Sequence, residues 1–128
     1  LYDRRQEAEI QMPEIRRAFM SLDESRFATL ADTLLGRIAD AIDDVLADEA
    51  EAEVQGGILT IVLADRSQYV VNKHAPNRQI WLSSPVSGAH HFDYRDGAWI
   101  SSRDESVSLL PLLEAELKAK TGVAVDLG

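Results

Sequence analysis

From Phe27 onward, apolar residues recur at helical spacing: Phe27, Leu30, Leu34, Leu35, Ile38, Ala41, Ile42 and Val45. One side of a 3.6-residue helix carries them, so the segment is predicted as an amphipathic helix. Just before it, Ser21-Leu22-Asp23-Glu24 has the form of a capping box, with Ser21 accepting from a first-turn amide and Glu24 reaching back. Gly36 sits inside the helix off the apolar stripe, at a cost of about 1 kcal/mol against alanine. Residues 1–20 are charged and weakly patterned, with a short helix expected after Pro13 through Ile15, Arg16 and Phe19. They read as an N-terminal extension with freedom to move, ahead of one domain over 21–128.

After an acidic connector the period changes. Gly56-Gly57 punctuates, and Ile58 to Leu63 is a nearly continuous apolar run of strand type. Asp65-Arg66-Ser67 turns the chain into Tyr69-Val70-Val71, and Lys73 to Asn77, followed closely by another strand, reads as a loop. Gln79-Ile80-Trp81-Leu82-Ser83 alternates as a half-exposed strand closed by Pro85 and Gly88. His90 to Tyr94 and Ala98 to Ile100 flank Asp96-Gly97, a tight-hairpin signal. Connections this short imply an antiparallel meander, because parallel crossovers need a dozen or more residues. A second helix is expected from a Ser108 cap, with Leu109, Leu113 and Leu117 on one face, Pro111 in its first turn and Gly122 at its end. The predicted fold class is α+β: a two-layer α/β sandwich with the N- and C-terminal helices packed on one face of an antiparallel sheet.

Length and charge narrow the chemistry. A chain of 128 residues fits one domain and buries roughly 65% of its unfolded surface, enough for a core without staples. With no cysteine there is no disulfide, no thiol nucleophile and no ordinary Cys-ligated cluster. Twenty-two acids against 13 bases leave a formal charge of −9, which disfavours nucleic acid and anionic membrane as partners and favours cations and basic protein surfaces. No apolar run approaches the ~18 residues of a membrane span. The chain starts at Leu1 rather than Met, which is compatible with a removed leader.

Opposite the Leu/Ile stripe of the first helix lie Asp32, Asp40, Asp43 and Asp44, and Asp48, Glu49, Glu51 and Glu53 continue the acidic run beyond it. Such a face ordinarily only solvates a helix. Here, however, the acids crowd the helix C-terminus, where the macrodipole disfavours each by roughly 0.3–1 kcal/mol and neighbours three and four apart repel. Breaking a local rule without compensation is a mark of functional surfaces. Carboxylates suit hard or borderline cations such as ferrous iron, and a basic partner would also neutralise them.

In the Gln79–Ser83 strand, Gln79, Trp81 and Ser83 share one side and Ile80 and Leu82 the other. With Ile80 and Leu82 facing the helices, Trp81 stands on the open face near Asn72, a typical hot-spot setting. The pattern leaves the face of Trp99 open. His90 and His91 are adjacent in a strand and diverge, and His74 precedes Pro76, so a shared histidine metal site is not expected. There is no nucleophile elbow and no phosphate-binding glycine motif, since Gly56-Gly57 lacks the following lysine and helix.

The stretch Tyr69-Val70-Val71-Asn72-Lys73-His74-Ala75-Pro76-Asn77-Arg78-Gln79-Ile80-Trp81-Leu82-Ser83-Ser84-Pro85 closely resembles the central motif of frataxins in their eukaryotic form. The resemblance continues through Ser87-Gly88, Phe92-Asp93-Tyr94, Gly97, Trp99 and Ser108-Leu109, reaches back to Leu22-Asp23-Glu24, and covers about Ser21 to Leu127. It implies a helix–sheet–helix sandwich with a sheet of roughly five to seven strands. It implies an iron-binding accessory role in mitochondrial iron–sulfur cluster assembly, promoting sulfur transfer by a cysteine desulfurase and scaffold protein and supplying ferrous iron. A ferroxidase or iron-storage assembly is the alternative it carries. The location implied is the mitochondrial matrix, or the cytoplasm for a bacterial chain, and the implied state is a monomer that can form iron-dependent oligomers. Carried over residue by residue, weak iron sites fall on Asp32, Asp40, Asp43 and Asp44, and less closely on Asp48, Glu51 and Glu53. Partner contacts fall on Asn72, Gln79, Trp81 and His91. The chain departs from the family at Ala28, Thr33 and Gly36, where acids are common, and at His91, where the human-like pattern has Arg.

Overall fold

The structure, a computed structural model, describes residues 23–128. Ser21, the short helix expected after Pro13 and the extension assigned to 1–20 lie outside the described residues.

Helix α1 (Glu24–Val45) is capped by Asp23, whose Oδ1 accepts from the Arg26 amide at 2.7 Å. Phe27, Ala31, Leu35, Ile38, Ala39 and Ile42 form its buried stripe. Leu30, Leu34 and Ala41 only flank this stripe, and Val45, expected on it, is exposed. Leu46 takes the last core position and ends the helix, its N–H donating to Ile42 O at 2.7 Å.

Two segments differ from expectation. The acidic connector contains strand β1 (Ala50–Gln55), which pairs antiparallel with β2 (Ile58–Leu63). Alternating Ala and Glu gives little strand signal, and an edge strand needs only one modest row against the helix; Ala50 alone in β1 is fully buried. Lys73 and His74, read as loop, instead finish strand β3 (Gln68–His74). β4 (Gln79–Ser84), β5 (Gly88–Arg95) and β6 (Ala98–Ser101) complete a meander in the order β1-β2-β3-β4-β5-β6. Two hairpins close on residue pairs that both have positive φ, Gly56-Gly57 (59° and 77°) and Asp96-Gly97 (50° and 83°), as a two-residue turn of this twist requires.

One sheet face is the core: Leu59, Ile61, Leu63, Tyr69, Val71, Ile80, Leu82 and Phe92 are buried on it. Trp99 belongs there too, 6% exposed, edge-on to Phe27 of α1 with ring centroids 6.0 Å apart. Helix α2 (Leu109–Thr121) lies against the same face and buries Leu109, Leu113, Glu116 and Leu117. Ser108 occupies its N-cap position but makes no side-chain cap bond. Pro111 stands at the third helical position and removes one of the amides such a cap would use. Gly122, at φ 75°, ends the helix, and Val125 and Leu127 of the following tail enter the core. The Leu127 amide donates to Glu114 Oε2 at 2.7 Å.

The end of α2 is tied to the β2–β3 turn by Lys120 Nζ, 3.1 Å from Asp65 Oδ2. Hydrogen bonds from the Ser67 hydroxyl and amide, then Lys120, lower the Asp65 pKa from 3.8 to about 2. The folded pKa is depressed, so this contribution is present above pH 3.8 and is lost as pH falls toward 2. Urea midpoints for wild type and Asp65→Asn are expected to differ by a constant amount at neutral pH and to converge below pH 3.8.

Glu116 of α2 is buried at 9% exposure, and among the described residues no lysine or arginine pairs with it. Its Oε1 accepts from Tyr69 OH at 3.0 Å and from Ser84 Oγ, and its Oε2 accepts from Ser87 Oγ at 2.6 Å. Ser84 Oγ in turn accepts from the Val86 and Ser87 amides, so one carboxylate gathers β3, β4 and the β4–β5 turn onto α2.

Candidate functional site

Burial of Ile80 and Leu82 under the helices turns Gln79, Trp81 and Ser83 outward. The β3–β4–β5 register then pairs Asn72 with Trp81 and Trp81 with His91, and in the adjoining row pairs His74 with Gln79 and Gln79 with Asp93. Asn72, Gln79, Trp81 and His91, from three consecutive strands, thus meet on the sheet face away from the helices.

The indole of Trp81 is held on three sides. His74 stacks on one face, with centroids 3.7 Å apart and planes 8° from parallel; His91 stacks on the other at 4.2 Å and 11°. Indole Nε1 donates to Gln79 Oε1 at 2.9 Å, and Gln79 Nε2 donates to Asp93 Oδ1 at 2.9 Å. The Asn77 amide donates to His74 Nδ1 at 3.3 Å. The result is a column of three rings whose side chains need little further ordering to meet a partner. His74 and Asp93 were missed in the sequence. Strand parity with Asn72 would have placed His74 on this face, had β3 been extended by two residues. His90 diverges from His91 to the helix side, where its Nε2 lies 2.8 Å from Ser87 Oγ.

The second surface is acidic. Asp32, Asp40, Asp43 and Asp44 are exposed on α1, and the last helical turn holds Asp43 and Asp44 with no basic residue. Asp32 accepts from Lys73 Nζ at 2.9 Å, which partly neutralises that end of the row. Among the described residues no lysine or arginine pairs with Asp40, Asp43, Asp44, Asp48, Glu51 or Glu53. Alternation from buried Ala50 puts Glu51 and Glu53 on the outward side of β1, around the sheet edge from the helix. Asp43, Glu51 and Glu53 line a shallow groove there with Ala47, Ala50, Ala52 and Thr60. Among the described residues no three acids or imidazoles converge closely enough to enclose an ion. The donor set therefore fits weak, exposed attraction of cations or of a basic protein surface rather than a resident metal centre.

Against known proteins, the family profile described as a frataxin-like domain matches residues 20–123. The mitochondrial frataxin homologue of Schizosaccharomyces pombe is 35% identical over 102 residues, covering 75% of this chain and 64% of that protein. The mitochondrial frataxin of Arabidopsis thaliana is 43% identical over 112 residues, covering 83% of this chain and 59% of that protein. The chain thus spans about three fifths of the length of these curated relatives. Among solved structures, frataxin from Psychromonas ingrahamii superposes with a TM-score of 0.75 at 27% identity, covering 84% of this chain and 99% of the other. A ferrous complex of trimeric frataxin from Saccharomyces cerevisiae gives 0.62 at 25% identity, covering 92% and 97%.

Proposed function

The chain belongs to the frataxin-like family, and from that premise we propose that it is an iron-binding accessory subunit of iron–sulfur cluster assembly in the mitochondrial matrix. It docks on a cysteine desulfurase–scaffold complex and promotes sulfur transfer, while its acids attract ferrous iron as cargo or basic residues of the partner. The observation that carries this reading is the ordered outward cluster of Trp81, Asn72, Gln79 and His91 on one sheet face. A Trp half-covered by polar neighbours and locked in orientation is the kind of anchor that dominates docking energy. The mitochondrial names of the relatives support the location.

The acids at the end of α1 do separate work under this proposal. Asp40, Asp43 and Asp44 leave a field that a cation or basic surface relieves, aided by Asp48, Glu51 and Glu53, with Asp32 already drawn to Lys73. The test adds purified chain to cognate desulfurase and scaffold and measures sulfide release. Wild type is expected to raise the rate. The paired substitution Asp40→Asn with Asp44→Asn is expected to lower ferrous affinity severalfold, measured by calorimetry at physiological salt. No stimulation by wild type would reject the docking reading. Oxygen uptake with ferrous iron that is lost in the Asp40→Asn, Asp44→Asn pair and kept in Trp81→Ala would instead favour a ferroxidase or iron-storage assembly.

A further inference from the structure

One edge of the sheet is left open. Among the described residues β1 pairs only with β2, and Gln55 and Ile58 flank the Gly56-Gly57 turn, so these two residues exchange both backbone bonds. Every second residue of β1 does the same, Glu53 with Thr60 and Glu51 with Val62. The Ala64 amide, donating to Glu49 O at 2.9 Å, continues that phase beyond the strand. Ala52 and Val54 therefore aim their N–H and C=O groups away from the sheet, and among the described residues no backbone group meets them. The Ala50 amide, at the start of the strand, is already taken by Leu46 O at 2.8 Å. The usual guards of a bare edge are missing: β1 has no proline, no lysine and no break in its register over six residues.

We infer that this edge is a second docking surface, which takes an extended basic segment of a partner protein as an added strand. The inference goes beyond the Trp81 face and does not depend on it. Strand addition satisfies the outward groups of Ala52 and Val54, at about 1 kcal/mol for each bond, and side chains then select the partner. Glu51 and Glu53 stand on the open sheet face, and Ala52 and Val54 on the helix face, where Val54 is 43% exposed. A strand laid alongside sets its own residues opposite these, alternately on the two faces. It fits when basic residues fall beside Glu51 and Glu53 and apolar ones beside Ala52 and Val54. The small side chains of Ala47, Ala50 and Ala52 leave room: with Asp43 and the two glutamates they line a groove of about 410 Å³ along the edge. Among the described residues no lysine or arginine pairs with Asp43, Glu51 or Glu53, so a basic strand brings the missing countercharge. The same glutamates disfavour a second copy as the occupant. Edge-to-edge pairing would set Glu51 and Glu53 against another pair of glutamates, in a chain already at −9.

The test uses the whole chain and a synthetic peptide of alternating lysine and valine, as long as β1, with a block isomer of the same composition as control. Amide hydrogen exchange is followed residue by residue by NMR. At saturating alternating peptide, exchange at Ala52 and Val54 is expected to slow about tenfold or more, while Glu51 and Glu53, already bonded to β2, change little. The block isomer carries the same charge and is expected to give no such protection. Val54→Pro removes an outward donor without touching a β1–β2 bond and is expected to abolish the protection at Ala52, thermal unfolding verifying its fold. Should that variant unfold, the pair Glu51→Lys, Glu53→Lys takes its place. It is expected to lose the lysine peptide and to be protected instead by one of alternating glutamate and valine. Equal protection by the two isomers, or no protection at Ala52 and Val54 at any peptide concentration, overturns strand addition. Protection of these amides in the free chain overturns a partner as the occupant. It identifies a second copy if it grows with protein concentration, and residues 1–22 of the same chain if it does not.

Discussion

Trp81→Ala is expected to abolish stimulation of sulfide release and to weaken binding of the desulfurase–scaffold complex by about 30-fold or more, the equivalent of 2 kcal/mol or above. The loss is larger than one contact because the indole organises its neighbours. Its removal unstacks His74 from one side and His91 from the other, and frees Gln79 from the Nε1 bond. Thermal stability is expected to change little, because Trp81 lies across the sheet from the buried cluster. That separation between function and stability is what distinguishes a docking residue from a structural one. Trp81→Phe keeps a ring between the imidazoles and loses only the donor to Gln79, so an intermediate affinity is expected. Equal stimulation by wild type and Trp81→Ala would remove Trp81 from the proposed interface.

Glu116→Ala is the largest expected loss of stability, about 3 kcal/mol, read as a fall of roughly 12–20 °C in Tm. Removing the carboxylate strands the buried hydroxyl donors of Tyr69 and Ser84, leaves the exposed Ser87 hydroxyl to water, and opens a small cavity beside them. Relief from holding a carboxylate out of water offsets part of the loss, which keeps the figure below the sum of three charge-assisted bonds. Glu116→Gln retains one acceptor oxygen, and rotating hydroxyls can meet its amide, so a loss of about 1 kcal/mol is expected. Urea and thermal unfolding of the two variants provide the check; equal stabilities of wild type and Glu116→Ala would show that the network contributes nothing net. The same network leaves a second mark. Burial first, and then the Glu116 carboxylate, push the Tyr69 hydroxyl above its usual range. Stability from this group is complete below its ordinary value of 10.0 and declines as pH rises beyond it, because the unfolded chain then gives up a proton that the folded chain keeps.

Elements with strong local periodicity could be read directly from the residues. The apolar stripe of α1, the Asp96-Gly97 hairpin and the outward parity of Trp81 all rest on spacing within one element, and all three hold in the structure. What escaped depended on partners elsewhere in the chain. β1 is built from Ala and Glu and exists because β2 offers it an edge, so its own composition says little. The face of Trp99 is decided by its pairing with Tyr94 and its contact with Phe27. The stacking of His74 on Trp81 is a diagonal contact between strands, invisible without register. Glu116 did leave a trace: it stands seven residues after Leu109 and one before Leu117, on the same side of α2. An acid inside a leucine stripe is the pattern of a buried carboxylate, and its donors sit 47, 32 and 29 residues away. Of the candidate site, the acids of α1, the outward Trp and, through the family resemblance, His91 were thus legible, whereas His74 on the other face of the indole was not.

Every neighbouring pair of strands in this sheet is also consecutive along the chain, so the sheet can grow hairpin by hairpin as the polypeptide emerges from the ribosome. Its greasy side has no such local cover. α1 is made first, but α2 and the tail bearing Val125 and Leu127 are made last, and all contribute to one core. At roughly 5–20 residues per second, the nascent sheet waits on the order of seconds for that lid. During this interval the part of the apolar sheet face that α2 and the tail will cover stays open to solvent, beside the part that α1 already covers.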